Sequence, residues 1–268
     1  MSCAVPVSVS GFYAWRQREP SRHSREDAIL AEKVKTVFQH NRCVYGSPRI
    51  HADLHAQGIS CARKRVARLM REQGLVAELP RHRTVTTKVE KGVKVTANLL
   101  QRDFHADRPN QKWTTDTTYI WTQEGWLYLA VVLDLFSRMV VGWAMAAIQD
   151  APLVAQALQM AIVCRRPQAG LLHHSDRGST YTSESYQAIL LQQGMAVSMS
   201  RTADCYDNAV TESFFHSFKG ECIDRESFQS RAQARNSTFD YIEAFYNRTR
   251  RHSSLQYLSP VMYEQLMS

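Results

Sequence analysis

Three acidic residues stand where an ordinary surface carboxylate is not expected. Asp116 interrupts the strand-forming run Trp113-Thr114-Thr115-Asp116-Thr117-Thr118-Tyr119-Ile120, Asp176 sits in His174-Ser175-Asp176-Arg177-Gly178, and Glu212 in Asn208-Ala209-Val210-Thr211-Glu212-Ser213-Phe214-Phe215. Brought within a few ångströms, three ionised carboxylates repel by about 4 kcal/mol per close pair at an effective dielectric of about 20. A divalent cation removes that repulsion. Oxygen-only ligands suit Mg²⁺ or Mn²⁺ rather than zinc, and two such ions can clamp the attacking and leaving oxygens of an in-line phosphoryl transfer. Asp116, Asp176 and Glu212 are therefore the expected catalytic residues and metal ligands, with Mg²⁺ (or Mn²⁺), as two ions, the expected cofactor.

The elements that must bring them together can be read from the same stretch. Strands are expected over Trp113–Ile120, over Trp126–Leu133 after a Glu124-Gly125 turn, and over Arg138–Met145. Short strands joined by tight turns make an antiparallel meander. Asp150-Ala151-Pro152 opens a helix through Val163, followed by a strand at Leu171–Ser175, a helix at Ser183–Gln193, a strand at Ala196–Ser200 and a helix at Asn208–Gly220. The order βββαβαβα is a ribonuclease H-like arrangement, an α/β core with a mixed five-stranded sheet and flanking helices. Asp176 then falls at the end of the central parallel strand, where ligand sites gather in such sheets. On the last helix, Asn208 four residues before Glu212 and Lys219 seven after it share the glutamate's face. Lys219 would reach a phosphate, and Asn208 and His174 would support the ligands from behind. Val210, Phe214 and Phe218 form a second stripe, expected to pack the helix on the sheet.

The first part of the chain has a different character. Residues 1–108 hold 20 Lys and Arg against 10 Asp and Glu, and residues 109–268 hold 13 against 15. The basic excess lies wholly in the first part, as for a module that grips phosphates joined to one that carries carboxylates. A helix is expected over Arg25–Gln39. Ser47-Pro48 starts another that Gly58 ends, and Ser60 caps a third, closed by Gly74. The turn Gly58-Ile59-Ser60 makes these two a helix-turn-helix-like pair, whose second helix presents Arg63, Lys64, Arg65, Arg68 and Arg71 for DNA contact. Ser10–Trp15 has no clear assignment. The expected organisation is a helical, basic, DNA-binding region at 1–79, a basic linker at 80–108, and the catalytic domain with C-terminal helices at 109–268. His51 and His55, with Cys43 and Cys61 nearby, resemble a zinc set only loosely, since closely paired cysteines are missing.

Other classes are excluded. The six cysteines include no Cys-x-x-Cys pair, the apolar start has no basic leader, and reduced thiols in the cytoplasm are expected. The apolar runs Trp126–Leu133 and Met139–Ile148 fall short of the roughly 20 residues a membrane helix needs.

Trp-x-x-Asp-x-Thr-Tyr-Ile at 113–120, His-Ser-Asp-Arg-Gly-Ser at 174–179 and Cys-Tyr-Asp-Asn-Ala-x-x-Glu-Ser-Phe-Phe at 205–215 closely resemble the motifs of DDE transposases of bacterial insertion sequences. The likeness is to the orfB-type products of the insertion-sequence-three family, relatives of retroviral integrases. Thirty-five residues separate Asp176 from Glu212, and Lys219 stands where the family has a basic residue. Tyr45-Gly46-Ser47-Pro48-Arg49 and Arg250-Arg251-His252-Ser253-Ser254-Leu255 resemble its helix-turn-helix start and its end. Thr180 and Asp204 depart from the residues usual there. The resemblance implies DNA cleavage and strand transfer at element ends, with Lys219 and Arg177 at phosphates and Arg248, Arg250 and Arg251 as further DNA contacts. It implies as partners the element's terminal inverted repeats, target DNA, further copies of the chain on that DNA, and an upstream-frame product to which this chain is fused by frameshifting. A hydrolysis-only nuclease and a DNA-binding modulator without catalysis are the rival readings.

Overall fold

The computed structural model describes residues 8–77, 97–200 and 208–267. The chain divides into two compact units, Met1–Ala77 and Glu78–Ser268. In the first, α1 (Val9–Arg16) takes up the stretch left unassigned by periodicity; Ser8 caps it by accepting from the Gly11 amide, and it buries no residue. α2 (Arg22–His40), α3 (Ser47–Ala56) and α4 (Arg63–Glu72) enclose a core of Leu30, Val34, Val37, Phe38, Ile50, Leu54, Val66, Leu69 and Met70. Gly58 and Gly74 end α3 and α4 with φ of 76° and 65°, a conformation that favours glycine.

The turn between α3 and α4 is longer than expected, because Ser60 does not cap. The Ile59 amide is taken by the Leu54 carbonyl and the Cys61 carbonyl by His51 Nε2 at 3.0 Å, so the chain stays extended up to Ala62. Ser47 likewise is the first residue of α3 and Gly46 its cap, with Pro48 in the first turn as expected.

Of the linker expected over 80–108, residues 80–96 lie outside the described ones. Residues 97–108 are anchored to the sheet, where Ser198 Oγ accepts from the amides of Leu99 and Leu100 and Leu100 is buried.

The second unit is built on a five-stranded sheet of order β3-β2-β1-β4-β5. β1 (Lys112–Thr122), β2 (Gly125–Asp134) and β3 (Val140–Ala146) form the antiparallel meander, and β4 (Leu172–Ser175) and β5 (Ala196–Met199) run parallel to β1. This is the mixed sheet with flanking helices that the sequence predicts. Strand alternation gives β1 two sides. Trp113 joins Ala130, Val132 and Val141 under α5 (Ala151–Arg165) and α6 (Glu184–Gln192), packed on Leu153, Val154, Leu158, Tyr181, Tyr186 and Leu190. The approach is closest at Gly142, where a Cβ would stand 2.3 Å from the Ala157 carbonyl oxygen. Thr114 and Asp116 belong to the other side, which receives α7 (Ala209–Glu221).

The chain then forms α8 (Arg231–Phe239), a π-helical segment Asp240–Tyr246, and α9 (Pro260–Met267). α9 is pinned to α5 by a two-pronged contact, Arg165 Nη1 and Nη2 each 2.8 Å from a Glu264 oxygen.

Among the described residues no helix is long and apolar enough to cross a membrane.

Candidate active site

The parallel pairing of β1 with β4 sets Thr114 beside His174. Two residues further along both chains come Asp116 and Asp176, on the same side of the sheet and level with one another. Asp176 lies one residue beyond the end of β4, where its Oδ1 accepts from the Gly178 amide at 2.9 Å. Asp116 Oδ1 accepts from the Thr117 amide at 2.7 Å.

Glu212 arrives from α7, and its height over the sheet is set one turn earlier. Asn208 Oδ1 accepts from Thr114 Oγ1 at 2.6 Å and from Thr211 Oγ1 at 2.8 Å, while Asn208 Nδ2 donates to the Thr115 carbonyl at 3.4 Å. Asn208 and Thr211 are buried in this contact, and Glu212, next in sequence, is exposed toward the open side. Asn208 thus fastens the glutamate's helix to the aspartate's strand.

Asp116 feels the other two acids. Burial pushes the Asp116 carboxyl up to about 8, helped first by the charge of Asp176 and then by that of Glu212; the Thr117 amide and Lys219 pull the other way. Burial also raises Asp176 and Glu212. Among the described residues, no three His, Cys, Asp or Glu side chains are gathered closely enough to hold an ion as they stand. The donor set nevertheless fits a hard divalent cation: Asp116 lies in electrostatic reach of Asp176 and Glu212, burial raises all three, and oxygen is the ligand atom of each. Lys219 is the nearby positive charge. Its Nζ lies 4.5 Å from the ring centroid of Tyr119.

His174 is buried, with Nδ1 2.8 Å from Ser198 Oγ, one level below Asp176 on the same side, which suits a supporting role. Arg177 Nε donates to the Ser200 carbonyl at 2.6 Å. Tyr181, in the core under α5 and α6, has its hydroxyl 3.5 Å from Thr115 Oγ1, and burial first, then the charges of Asp116, Tyr186 and Asp176, push it well above the usual tyrosine range. Five residues after Asp176, in a stretch without periodicity, it gave no signal in the sequence.

Three expectations change. The stripe Phe214 and Phe218 meets the C-terminal segment: Phe214 meets Tyr246 at 4.8 Å and Phe218 meets Tyr241 at 5.4 Å between ring centroids. At the sheet, α7 presents polar Asn208 and Thr211 to Thr114. Arg250, offered as a DNA contact, is turned inward and 3% exposed, where Nε and Nη2 each lie 2.6 Å from a Glu221 oxygen. A buried guanidinium with a carboxylate partner has no reach to solvent. In the helical unit, Arg63 and Lys64 are exposed, whereas Arg65 and Arg68 point back to Asp27 of α2, Arg65 Nε at 2.6 Å.

Comparison with known proteins matches three stretches of the chain. Residues 106–205 and 212–267 each match a family model described as an integrase core domain, and residues 24–83 match one described as an HTH-like domain. Transposase InsF for insertion sequence IS3A of Escherichia coli is 45% identical over 266 residues, covering 98% of this chain and 92% of that protein. The insertion element IS600 uncharacterized 31 kDa protein of Shigella sonnei is 42% identical over 259 residues, covering 97% and 95%. A solved structure of the HTLV-2 integrase catalytic core domain in complex with magnesium overlaps more loosely, with TM-score 0.44, 15% identity, and coverage of 59% of this chain and 97% of that one.

Proposed function

This chain belongs to the family of insertion-sequence IS3 transposases, and from that premise we propose that Asp116, Asp176 and Glu212 carry out DNA cleavage and strand transfer at the ends of its element. The observation that carries the reading is the level placement of Asp116 and Asp176 on neighbouring parallel strands, with the Glu212 helix fastened to the first of them through Asn208. Asp116, Asp176 and Glu212 would hold Mg²⁺ or Mn²⁺, as two ions. Bound there, the metal would activate the attacking oxygen and neutralise charge on the leaving one. Asp116 and Asp176 fix the attacking hydroxyl from the rigid sheet. Glu212 closes the set from the helix, and Lys219 holds a phosphate oxygen beside it, with Arg177 contacting the backbone further out.

Around this centre, residues 1–79 act as the DNA-gripping region, 80–108 as a basic linker and 109–268 as the catalytic part. Exposed Arg63 and Lys64 supply phosphate contacts, and Arg65 and Arg68 hold the helix that presents them. The working form is an oligomer on paired element ends in the cytoplasm, with the upstream-frame product of the same element as a fused partner.

The test is a joining assay with labelled element-end DNA, a target plasmid and Mg²⁺, run on the full chain and on Asp116→Asn, Asp176→Asn and Glu212→Gln. The expected result is joined product from the first and none from the variants. Nicked ends without joined product would instead identify a hydrolytic nuclease. Undiminished transposition by Asp116→Asn, with DNA binding intact, would leave a binding modulator.

A further inference from the structure

β1 is longer than the strand beside it. β4 pairs with it over Lys112–Thr114, and among the described residues no strand pairs with that edge from Asp116 until Thr122 meets Phe228. Beyond the reach of α5, the side of β1 that carries Trp113 surfaces as an aromatic cluster. Tyr119 is 39% exposed, Trp121 55% and Trp126 43%. The antiparallel register sets Trp121 directly across from Trp126. The Trp126 ring lies 4.7 Å from that of Trp121 at 71° and 5.1 Å from that of Tyr119 at 85°. Edge-to-face packing fixes the rings against each other while leaving much of their surface to solvent. Three large aromatic side chains left this open on a rigid sheet mark a binding surface.

Two cations border it. Lys219 reaches from α7 across this edge of β1 to stand over Tyr119. Arg231, at the start of α8, donates from Nε to the Trp126 carbonyl at 3.1 Å. Fixed aromatic faces flanked by positive charge are the chemistry that takes unpaired nucleotides, with bases on the rings and phosphates at the cations. Asp116 lies on the other side of the same strand, five residues or about 17 Å along it from Trp121, and Lys219 links the two sides, standing over Tyr119 and drawing on the charge of Asp116.

We propose that Tyr119, Trp121 and Trp126 form a stacking platform for unpaired nucleotides of the DNA strand at the carboxylate site, with Lys219 and Arg231 at their phosphates. The proposal rests on the reading of Asp116, Asp176 and Glu212 as the DNA-cutting centre. It commits to single-stranded DNA; the rival occupant is a second copy of this chain.

The test measures binding of the full chain to a labelled oligothymidine strand and to a blunt duplex of equal length, without divalent metal, so that no cutting intervenes. Stacking contributes about 1–3 kcal/mol per base, so Trp121→Ala combined with Trp126→Ala is expected to weaken oligothymidine binding about tenfold or more and duplex binding less than about twofold. Trp121→Phe, which keeps an aromatic face, is expected to retain most of the single-strand affinity. Unchanged circular dichroism would show that the fold survives in all variants. Equal losses on both probes, or no loss on either, would overturn the platform. So would a shift to smaller oligomers in sedimentation with both affinities unchanged, which would assign the surface to a second copy. Asp116→Asn separates the two readings: if it still joins DNA, the carboxylate assignment fails, whereas its oligothymidine preference should match that of the unaltered chain.

Discussion

Helix α7 carries an acid on each of two sides, Glu212 exposed and Glu221 buried, and their surroundings are opposite in kind. Toward the sheet, Glu212 faces Asp116 and Asp176, and all three are held above the ordinary carboxylate range. Toward the C-terminal segment, Glu221 is gripped by Arg250 through two 2.6 Å contacts and accepts from Tyr241 Oη at 2.9 Å. There burial opposes the Arg250 charge, yet Tyr241 and Glu221 hold its proton above the usual value. A buried charge with its partner present is part of the scaffold; facing like charges cost stability and mark a candidate site for chemistry. One helix therefore has a side that holds it in place and a side that presents the candidate site.

The contrast can be broken most sharply at Asp116. Asp116→Asn should lower strand transfer by about a thousandfold or more, several kcal/mol in the barrier, without lowering the melting temperature, because a buried carboxyl that resists ionisation is replaced by a neutral amide of the same shape. A substantial loss of melting temperature would mean that the acids serve as scaffold after all. On the other side of α7, Arg250→Met strands Glu221 and should cost about 3–5 kcal/mol in urea unfolding. Adding Glu221→Gln should recover much of that loss, and failure to do so would show that the pair is not what holds the segment.

Mg²⁺ at a hundredfold excess over its dissociation constant should stabilise the unaltered chain by about 2.7 kcal/mol. Calorimetry should find the same gain in Arg250→Met and little in Asp116→Asn; equal gains in all three would place the ion elsewhere. The smallest effect is expected at Thr114→Val, which removes the hydroxyl that Asn208 accepts. Its cost in unfolding is about 1 kcal/mol, with a disproportionate fall in strand transfer as Glu212 loses its alignment; a proportionate fall would deny Asn208 that role.

The sheet side of this contrast was legible in the sequence because its residues violate local rules. An aspartate among Thr, Tyr and Ile in a strand, and a glutamate seven residues before a lysine on an apolar helix, are conspicuous at short range. The other side was not. Glu221 and Arg250 are 29 residues apart and meet only because the π-helical segment Asp240–Tyr246 brings the chain back onto α7. A buried arginine cannot be told from a surface one by its neighbours in sequence. The same limit hid the clamp of Arg65 and Arg68 on Asp27, 38 and 41 residues away. Phe214 and Phe218 were read correctly as a buried stripe, but a stripe does not name what covers it, and here the cover is Tyr241 and Tyr246.

The pairing of β1 with β4 makes the site sensitive to counting as well as to chemistry. Successive residues of a strand serve opposite sides, so deleting one residue between Lys112 and Asp116 would turn the carboxylate toward α5 and present a neighbour in its stead. Deleting two would restore the side but lose the level of Asp176. Substitution can be graded, but spacing here is all or none: the strand works as a parity check, and a frame-preserving loss of a single codon in these few positions would silence the protein as completely as removal of the acid itself.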